Sequence, residues 1–182
     1  MEENMFGNFF AQRDFTLQTF TYSDLEQPYK ASCTAATDYD LTGQVLWPAS
    51  QILSKFIIDN SMIFKGKSVL EVGAGAGLCS LVASHYAKSV LGTDYKDLVL
   101  DLLKENLGLY GSKNCIRKTA LLDWKSTKVT ELLEYPNNEK IGEEELRGID
   151  YVLGSDVFYW DTSIIPLYNT LNVLYLISVA TL

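Results

Sequence analysis

Gly73, Gly75 and Gly77 stand at alternate positions directly after the apolar run Ser68-Val69-Leu70-Glu71-Val72, and the helix-forming Leu78-Cys79-Ser80-Leu81 follows them without a linker. Alternate glycines let the backbone approach a ligand closely, and a helix that starts there points free N–H groups at it. The pattern is that of a cofactor cradle. A dinucleotide fingerprint, G-x-G-x-x-G, would put the third glycine where Leu78 stands, so a pyrophosphate reader is disfavoured. A strand-to-helix turn that needs small residues for packing would leave the same glycines, so a second signal is required. Asp94 supplies it: this carboxylate ends the short apolar run Ser89-Val90-Leu91-Gly92-Thr93, 17 residues after Gly77, near the offset at which such folds hold ribose hydroxyls. Asp123 and Trp124, closing a third apolar run, offer an acceptor for an adenine amino group and a face to cover the ring. Asp156 and Tyr159 bring a carboxylate and a phenol together after a fourth run, at the active-site candidate.

The elements that must position these groups alternate. Strands are expected at Ser68–Val72, at Ser89–Asp94, over Cys115 to Leu122 and over Asp150 to Gly154. Helices are expected from Ile52, from about Leu78 to Tyr86, after Asp94 through about Leu107, and around Lys128 to Glu134. Strands separated by helices of this length predict an α/β fold, a Rossmann-like three-layer sandwich with a mostly parallel sheet and right-handed crossovers. Phe15 to Tyr22 reads as an N-terminal strand or hairpin arm followed by a polar loop through Asp40, and the acid-rich run Tyr135 to Glu145 as a surface excursion. One domain over residues 1–182 is expected, with 1–40 as the arm and 41–182 as the cofactor-binding core. The uncharged segment Ser163 to Leu182 is close to membrane-spanning length, but Pro166, Asn169, Thr170 and Asn172 crowd its first half. A helix followed by a buried strand within Val173 to Leu182, laid beside Tyr151 to Gly154, is the preferred reading, and a tail anchor is the alternative.

Hydrophobic residues make up 47% of the chain and charged residues 21%, the balance of a folding globular protein. A net charge of −8 disfavours nucleic acid as a partner, because affinity for phosphate backbones comes from lysine and arginine, and it favours a basic protein. The three cysteines are far apart and there is a single histidine, so no zinc set is expected. The acidic start Met1-Glu2-Glu3-Asn4 lacks a signal-peptide pattern. A reducing compartment follows as the expectation, the cytoplasm first and the nucleus second.

Five stretches occur in one order: T-G-x-x-x-W-P-A at Thr42–Ala49, E-x-G-x-G-x-G at Glu71–Gly77, T-D-Y at Thr93–Tyr95, L-x-W at Leu122–Trp124 and D-x-x-Y at Asp156–Tyr159. The chain thereby resembles the methyltransferase-like protein-lysine methyltransferases, within the seven-strand class that uses S-adenosylmethionine. The likeness runs roughly from Phe15 to Leu174, and its first, fourth and fifth stretches are not shared by seven-strand methyltransferases in general. It implies that Trp47 contacts the methionine end of the cofactor, that Gly73, Ala74 and Gly75 with Glu71 form its loop, that Asp94 holds ribose, that Trp124 touches adenine and that Ser155 completes the wall. Asp156 and Tyr159 then lie on the acceptor side, orienting a lysine ε-amine of a protein substrate. The family continues into a further helix and an antiparallel strand pair, so this chain is expected to lack the last two strands of the sheet, to expose an apolar edge and to self-associate. Methylation of a small molecule or of another protein side chain is the rival chemistry. A catalytically silent fold acting as a binding module is the rival from a different class.

Overall fold

The computed structural model describes residues 15–21, 29–33, 39–125, 146–158 and 160–179. The helix expected around Lys128 to Glu134, the acid-rich run Tyr135 to Glu145, the arm residue Tyr22 and the active-site candidate Tyr159 lie outside the described residues.

Alternation of apolar side chains in the strands dictates the layers. In β3 (Ser68–Glu71) Val69 joins one buried cluster and Leu70 the other, and in β4 (Ser89–Asp94) Val90 and Leu91 divide in the same way. A strand with apolar residues on both faces needs cover on both. One cover is α1 (Pro48–Asp59), the short α2 (Ser61–Phe64), α3 (Leu78–Ser84) and α4 (Asp97–Tyr110), which enclose Ile57, Phe64, Leu81, Val82, Leu103 and Leu107. The other is α5 (Asp161–Val179), packed through Leu167 and Leu174 over Leu70, Leu91 and Leu122. With β5 (Ile116–Leu121) and β6 (Tyr151–Leu153) the sheet runs β5-β4-β3-β6, every pairing parallel. This is the expected α/β architecture with a parallel sheet. The order reverses between β3 and β6, and open sheets of this kind bind ligands beyond the carboxyl ends of the strands at such a reversal.

The arm is a hairpin of β1 (Thr16–Phe20) and β2 (Tyr29–Cys33), antiparallel, with buried Cys33 seated against Ala76 and Leu102. A 3-10 helix at Tyr39–Gln44 leads from the arm towards α1.

The end of the chain corrects one expectation. Residues from Val173 through Val179 continue α5, and no strand lies beside β6 on its outer side among the described residues. The reason is periodic: Leu167, Thr170 and Leu174 are buried at spacings of three and four, with Leu171, Val173 and Ile177 partly buried beside them, so one helical face meets the core. Packing on that face outweighs the strand preference of the β-branched residues. Among the described residues no helix is long and apolar enough to cross a membrane.

Candidate functional site

A cavity of about 260 Å³ opens at the carboxyl ends of β3, β4 and β5 and the residues that follow β6. It gathers groups far apart in sequence: Trp47, Gly73, Ala74, Gly75, Asp94, Asp123, Trp124, Ser155 and Asp156 all line it.

The floor is the glycine loop. Gly73, Gly75 and Gly77 have φ of +60°, +56° and +84°, a region that favours glycine. Two of them also meet a neighbour under 3.0 Å at the Cβ position: a Cβ on Gly75 would stand 2.7 Å from the Gly43 carbonyl oxygen, and one on Gly77 2.1 Å from Leu103 Cδ1. Three hydrogen bonds tie the loop to β4 and α4. The Ala74 amide donates to the Thr93 carbonyl at 2.8 Å, the Gly75 amide to Asp94 Oδ2 at 3.0 Å, and the Asn106 side-chain amide to the Ala76 carbonyl at 2.8 Å.

Asp94 ends β4 and is buried, with Oδ1 accepting the Tyr95 amide at 2.8 Å. Burial pushes its carboxyl above the usual aspartate range, and the backbone N–H donors of Gly75, Tyr95 and Lys96 pull it back. One carboxylate thus touches both the loop and the start of the chain towards α4, with lone pairs left for a ligand in the cavity.

The aromatic walls come from opposite ends of the chain. Trp47 caps α1 ahead of Pro48; its carbonyl takes the Ser50 hydroxyl at 2.7 Å and its indole donates to the Thr42 carbonyl at 3.1 Å. Trp124 follows β5, its ring edge close enough to Gly73 that an added Cβ would stand 3.2 Å from Cζ2. Among the described residues its indole N–H is buried without an acceptor. A buried donor of that kind costs about 1–3 kcal/mol when left unpaired, and in native proteins such groups belong where a ligand or water completes them. Asp123 beside it accepts the Lys125 amide at 2.9 Å in a tight turn.

After β6 the backbone turns through Asp156, which has φ of +58°, the one non-glycine residue among the described residues in the left-handed region. Such a conformation costs about 1–3 kcal/mol and concentrates at functional sites. Glu71 differs from the other sequence candidates: it is 1% exposed, stands behind the cavity wall and gives its carboxylate to Ser80. Period-two alternation carried that signal, since Glu71 shares a strand face with Val69.

Sequence reasoning assigned no role to several wall residues. Gly43 packs against Gly75, with no room for a Cβ beside Val99, and Trp160, Thr162, Ser163 and Pro166 extend the cavity along the first turns of α5. Ser163 donates its amide and its hydroxyl to the Trp160 carbonyl at 2.9 and 2.8 Å, fixing Trp160 at the helix entrance. Tyr159 was the signal nearby, and Trp160 follows it directly.

The family model described as lysine methyltransferase matches residues 35–180. A mouse protein named methyltransferase-like protein 22 is 30% identical over 151 residues, a match covering 79% of this chain and 38% of that protein. A human protein-lysine N-methyltransferase, EEF2KMT, is 30% identical over 143 residues, covering 76% of this chain and 42% of its own length. The chain therefore spans less than half the length of these relatives. The solved structure of protein arginine methyltransferase 10 from Arabidopsis thaliana superposes at a TM-score of 0.47 with 16% identity, over 68% of this chain and 32% of that one. The chain belongs to the lysine methyltransferase family, whose methyl donor is S-adenosylmethionine.

Proposed function

We propose that this chain binds S-adenosylmethionine in the cavity at the ends of β3, β4 and β5 and directs its methyl group to a lysine ε-amine of a protein. The observation that carries the reading is the convergence on one cavity of Trp47, Gly73 to Gly75, Asp94, Asp123, Trp124 and Ser155, with Asp156 beside them. The residues fit the group. A Cβ on Gly73 would crowd Val157 and Trp124 at 3.0 and 3.2 Å, so the bare backbone suits a loop that packs close to a ligand, and the buried indole N–H of Trp124 has no acceptor among the described residues. Gly73, Ala74 and Gly75 with Trp47 and Ser155 would hold the methionine part, Asp94 the ribose hydroxyls, and Asp123 and Trp124 the adenine.

Bound there, S-adenosylmethionine supplies a methyl group on a positively charged sulfur. The chain's own task is the acceptor. A lysine amine with an ordinary pKa of about 10.4 must lose its proton first, which costs about 5 kcal/mol at neutral pH. Desolvation beside the aromatic walls lowers that cost, whereas the Asp156 carboxylate raises it, so Asp156 with Tyr159 orients the amine and does not act as the base. A chain of net charge −8 suits a basic protein as acceptor, and three free, buried cysteines suit a reducing compartment, cytoplasm or nucleus.

Calorimetric titration tests the cofactor half. S-adenosylmethionine is expected to bind and NAD is not, and Asp94→Ala is expected to weaken binding by about 1–3 kcal/mol through loss of a charged hydrogen bond. Saturable binding of NAD without S-adenosylmethionine would overturn the reading. Labelled methyl transfer to lysate proteins tests the acceptor half: Asp156→Ala and Tyr159→Phe should lower transfer far more than cofactor affinity. A chain that binds the cofactor and labels nothing is the silent module instead.

A further inference from the structure

Glu71 sits two residues before Gly73 and does not line the cavity, yet its contacts lead to several of the elements that do. One carboxylate oxygen accepts the Ser80 amide at 2.7 Å and the Ser80 hydroxyl at 2.5 Å, closing a link across the glycine loop from the end of β3 to the first turn of α3. The Cys79 thiol, one residue before Ser80, lies close enough to act on this carboxylate. Its sulfur lies 3.4 Å from the Ser50 carbonyl of α1 and 3.8 Å from the Ser155 hydroxyl beyond β6, and both serines line the cavity. The Glu71 carbonyl takes the Thr93 hydroxyl at 2.7 Å, and the Thr93 carbonyl in turn takes the Ala74 amide.

These contacts need an oxygen acceptor but not a charge, and a glutamine would satisfy Ser80. A buried carboxylate is costly unless a cation pairs with it. The titratable groups that act on Glu71 are Cys79 of α3 and Asp94 of β4, and neither is a cation. Burial accordingly raises the Glu71 carboxyl from 4.5 to about 7, against the pull of the Ser80 and Cys79 hydrogen bonds. The charge therefore wants a reason beyond the fold, and a cationic occupant of the adjacent cavity provides one.

We propose that Glu71 is a positioning residue: its carboxylate holds the glycine loop, α1 and the Ser155 turn in register, and it gives up a proton to solvent when a positively charged cofactor enters the cavity. The inference rests on the reading of the cavity as the S-adenosylmethionine site. Because the demethylated product has lost the sulfonium charge, Glu71 favours donor over product increasingly as pH rises through neutrality.

Calorimetry near pH 7 in buffers of different ionisation enthalpy reads the proton directly. The parent chain is expected to release a sizeable fraction of a proton with S-adenosylmethionine and less with S-adenosylhomocysteine. Glu71→Gln, which keeps an oxygen for Ser80 and has no proton of its own to lose, should release clearly less, since only groups such as the buried Asp94 remain to contribute. Parent affinity for S-adenosylmethionine should rise about fivefold more from pH 6 to pH 8 than that of the Gln variant, at the low end of common linkage between sites. Equal proton release by both proteins would overturn the proton link. Hydrogen exchange of residues 72–80 tests the clamp without any ligand: Glu71→Ala should speed exchange there, and unchanged protection would overturn it. Failure of the parent to bind S-adenosylmethionine at all would instead strike at the cofactor reading, with the exchange result still deciding the clamp.

Discussion

Gly77→Ala is the substitution whose cost the geometry fixes most closely. The built Cβ meets Leu103 Cδ1 at 2.1 Å, and Leu103 is fully buried with its other methyl already 3.0 Å from the Cβ position of Gly92. Leu103 therefore fills the space over both glycines, and an alanine at position 77 forces it to move within a closely packed core. Overpacking of this kind costs about 1–3 kcal/mol, and holding alanine at φ of +84° adds about 1–2 kcal/mol. The sum, about 2–5 kcal/mol, is a large share of the stability of an ordinary domain.

Urea denaturation of the parent, Gly77→Ala, Leu103→Ala and the double variant separates the two causes. Leu103→Ala alone should cost about 2–5 kcal/mol by leaving a cavity. In the double variant the collision is gone while the left-handed backbone remains, so its cost should fall short of the summed single costs by about 1–3 kcal/mol, the steric share of Gly77→Ala. Costs that simply add, or a Gly77→Ala chain within about 0.5 kcal/mol of the parent, would show that the close approach of α4 to the loop does not exist.

Two further outcomes follow from the same region. Asp156→Gly should be about 1 kcal/mol more stable than Asp156→Ala, because φ of +58° suits glycine, while both lose methyl transfer alike; the reverse order of stabilities in urea would refute the left-handed turn. The carboxyl of Glu71 is raised in the fold, so the stability it contributes is fully present below 4.5 and is lost as pH climbs through about 7. Between those values the parent should lose up to about 3 kcal/mol relative to Glu71→Gln; Asp94, raised by burial in both proteins, cancels from that difference, and a parent that gains stability with pH relative to the variant would refute the burial of the charge.

The parts of the fold legible in the sequence are those where one local signal suffices. Val69-Leu70 and Val90-Leu91 are apolar on both faces, which only a sheet covered on both sides can use, and alternate glycines after such a strand leave few readings besides a ligand loop. Asp94 was readable because a carboxylate at the end of a buried strand has one direction in which to point, beyond the sheet. The end of α5 was not readable in the same way. An uncharged aliphatic run suits a buried strand and a buried helix equally, and only the three- and four-residue spacing of Leu167, Thr170 and Leu174 separates them once a core face exists to be covered. Glu71 shows the limit of a motif: proximity to a glycine loop says that a residue matters to the loop, whereas the face of the strand decides whether it meets the ligand or the helix behind it.

Among the described residues most departures from ordinary backbone geometry gather in one place, although the buried Arg117 Nε, away from the cavity, also has no acceptor. The left-handed Gly73 and Gly75 line the cavity with Gly77 just behind them, the left-handed Asp156 lines it as well, and Trp124, whose buried indole N–H has no acceptor among the described residues, forms part of its wall. Gly66, the remaining glycine with positive φ, stands in an open turn with nothing within 4 Å of its Cβ position. β3, β4 and β5, by contrast, pair in regular parallel register. Local consistency breaks where binding or chemistry needs it to, and a fold tolerates the cost only when the surrounding core holds the strained residues in place. Here that core includes Leu103 beneath Gly77, Gly43 against Gly75 and Thr93 beneath Ala74, each pressing or tying the loop from a different element. The position of the strain thus argues for a ligand site at the β3–β4 carboxyl ends independently of any motif, and it explains why the loop's contacts come from the 3-10 helix, α4 and β4 at once: one element alone could not hold three left-handed residues in a row of five.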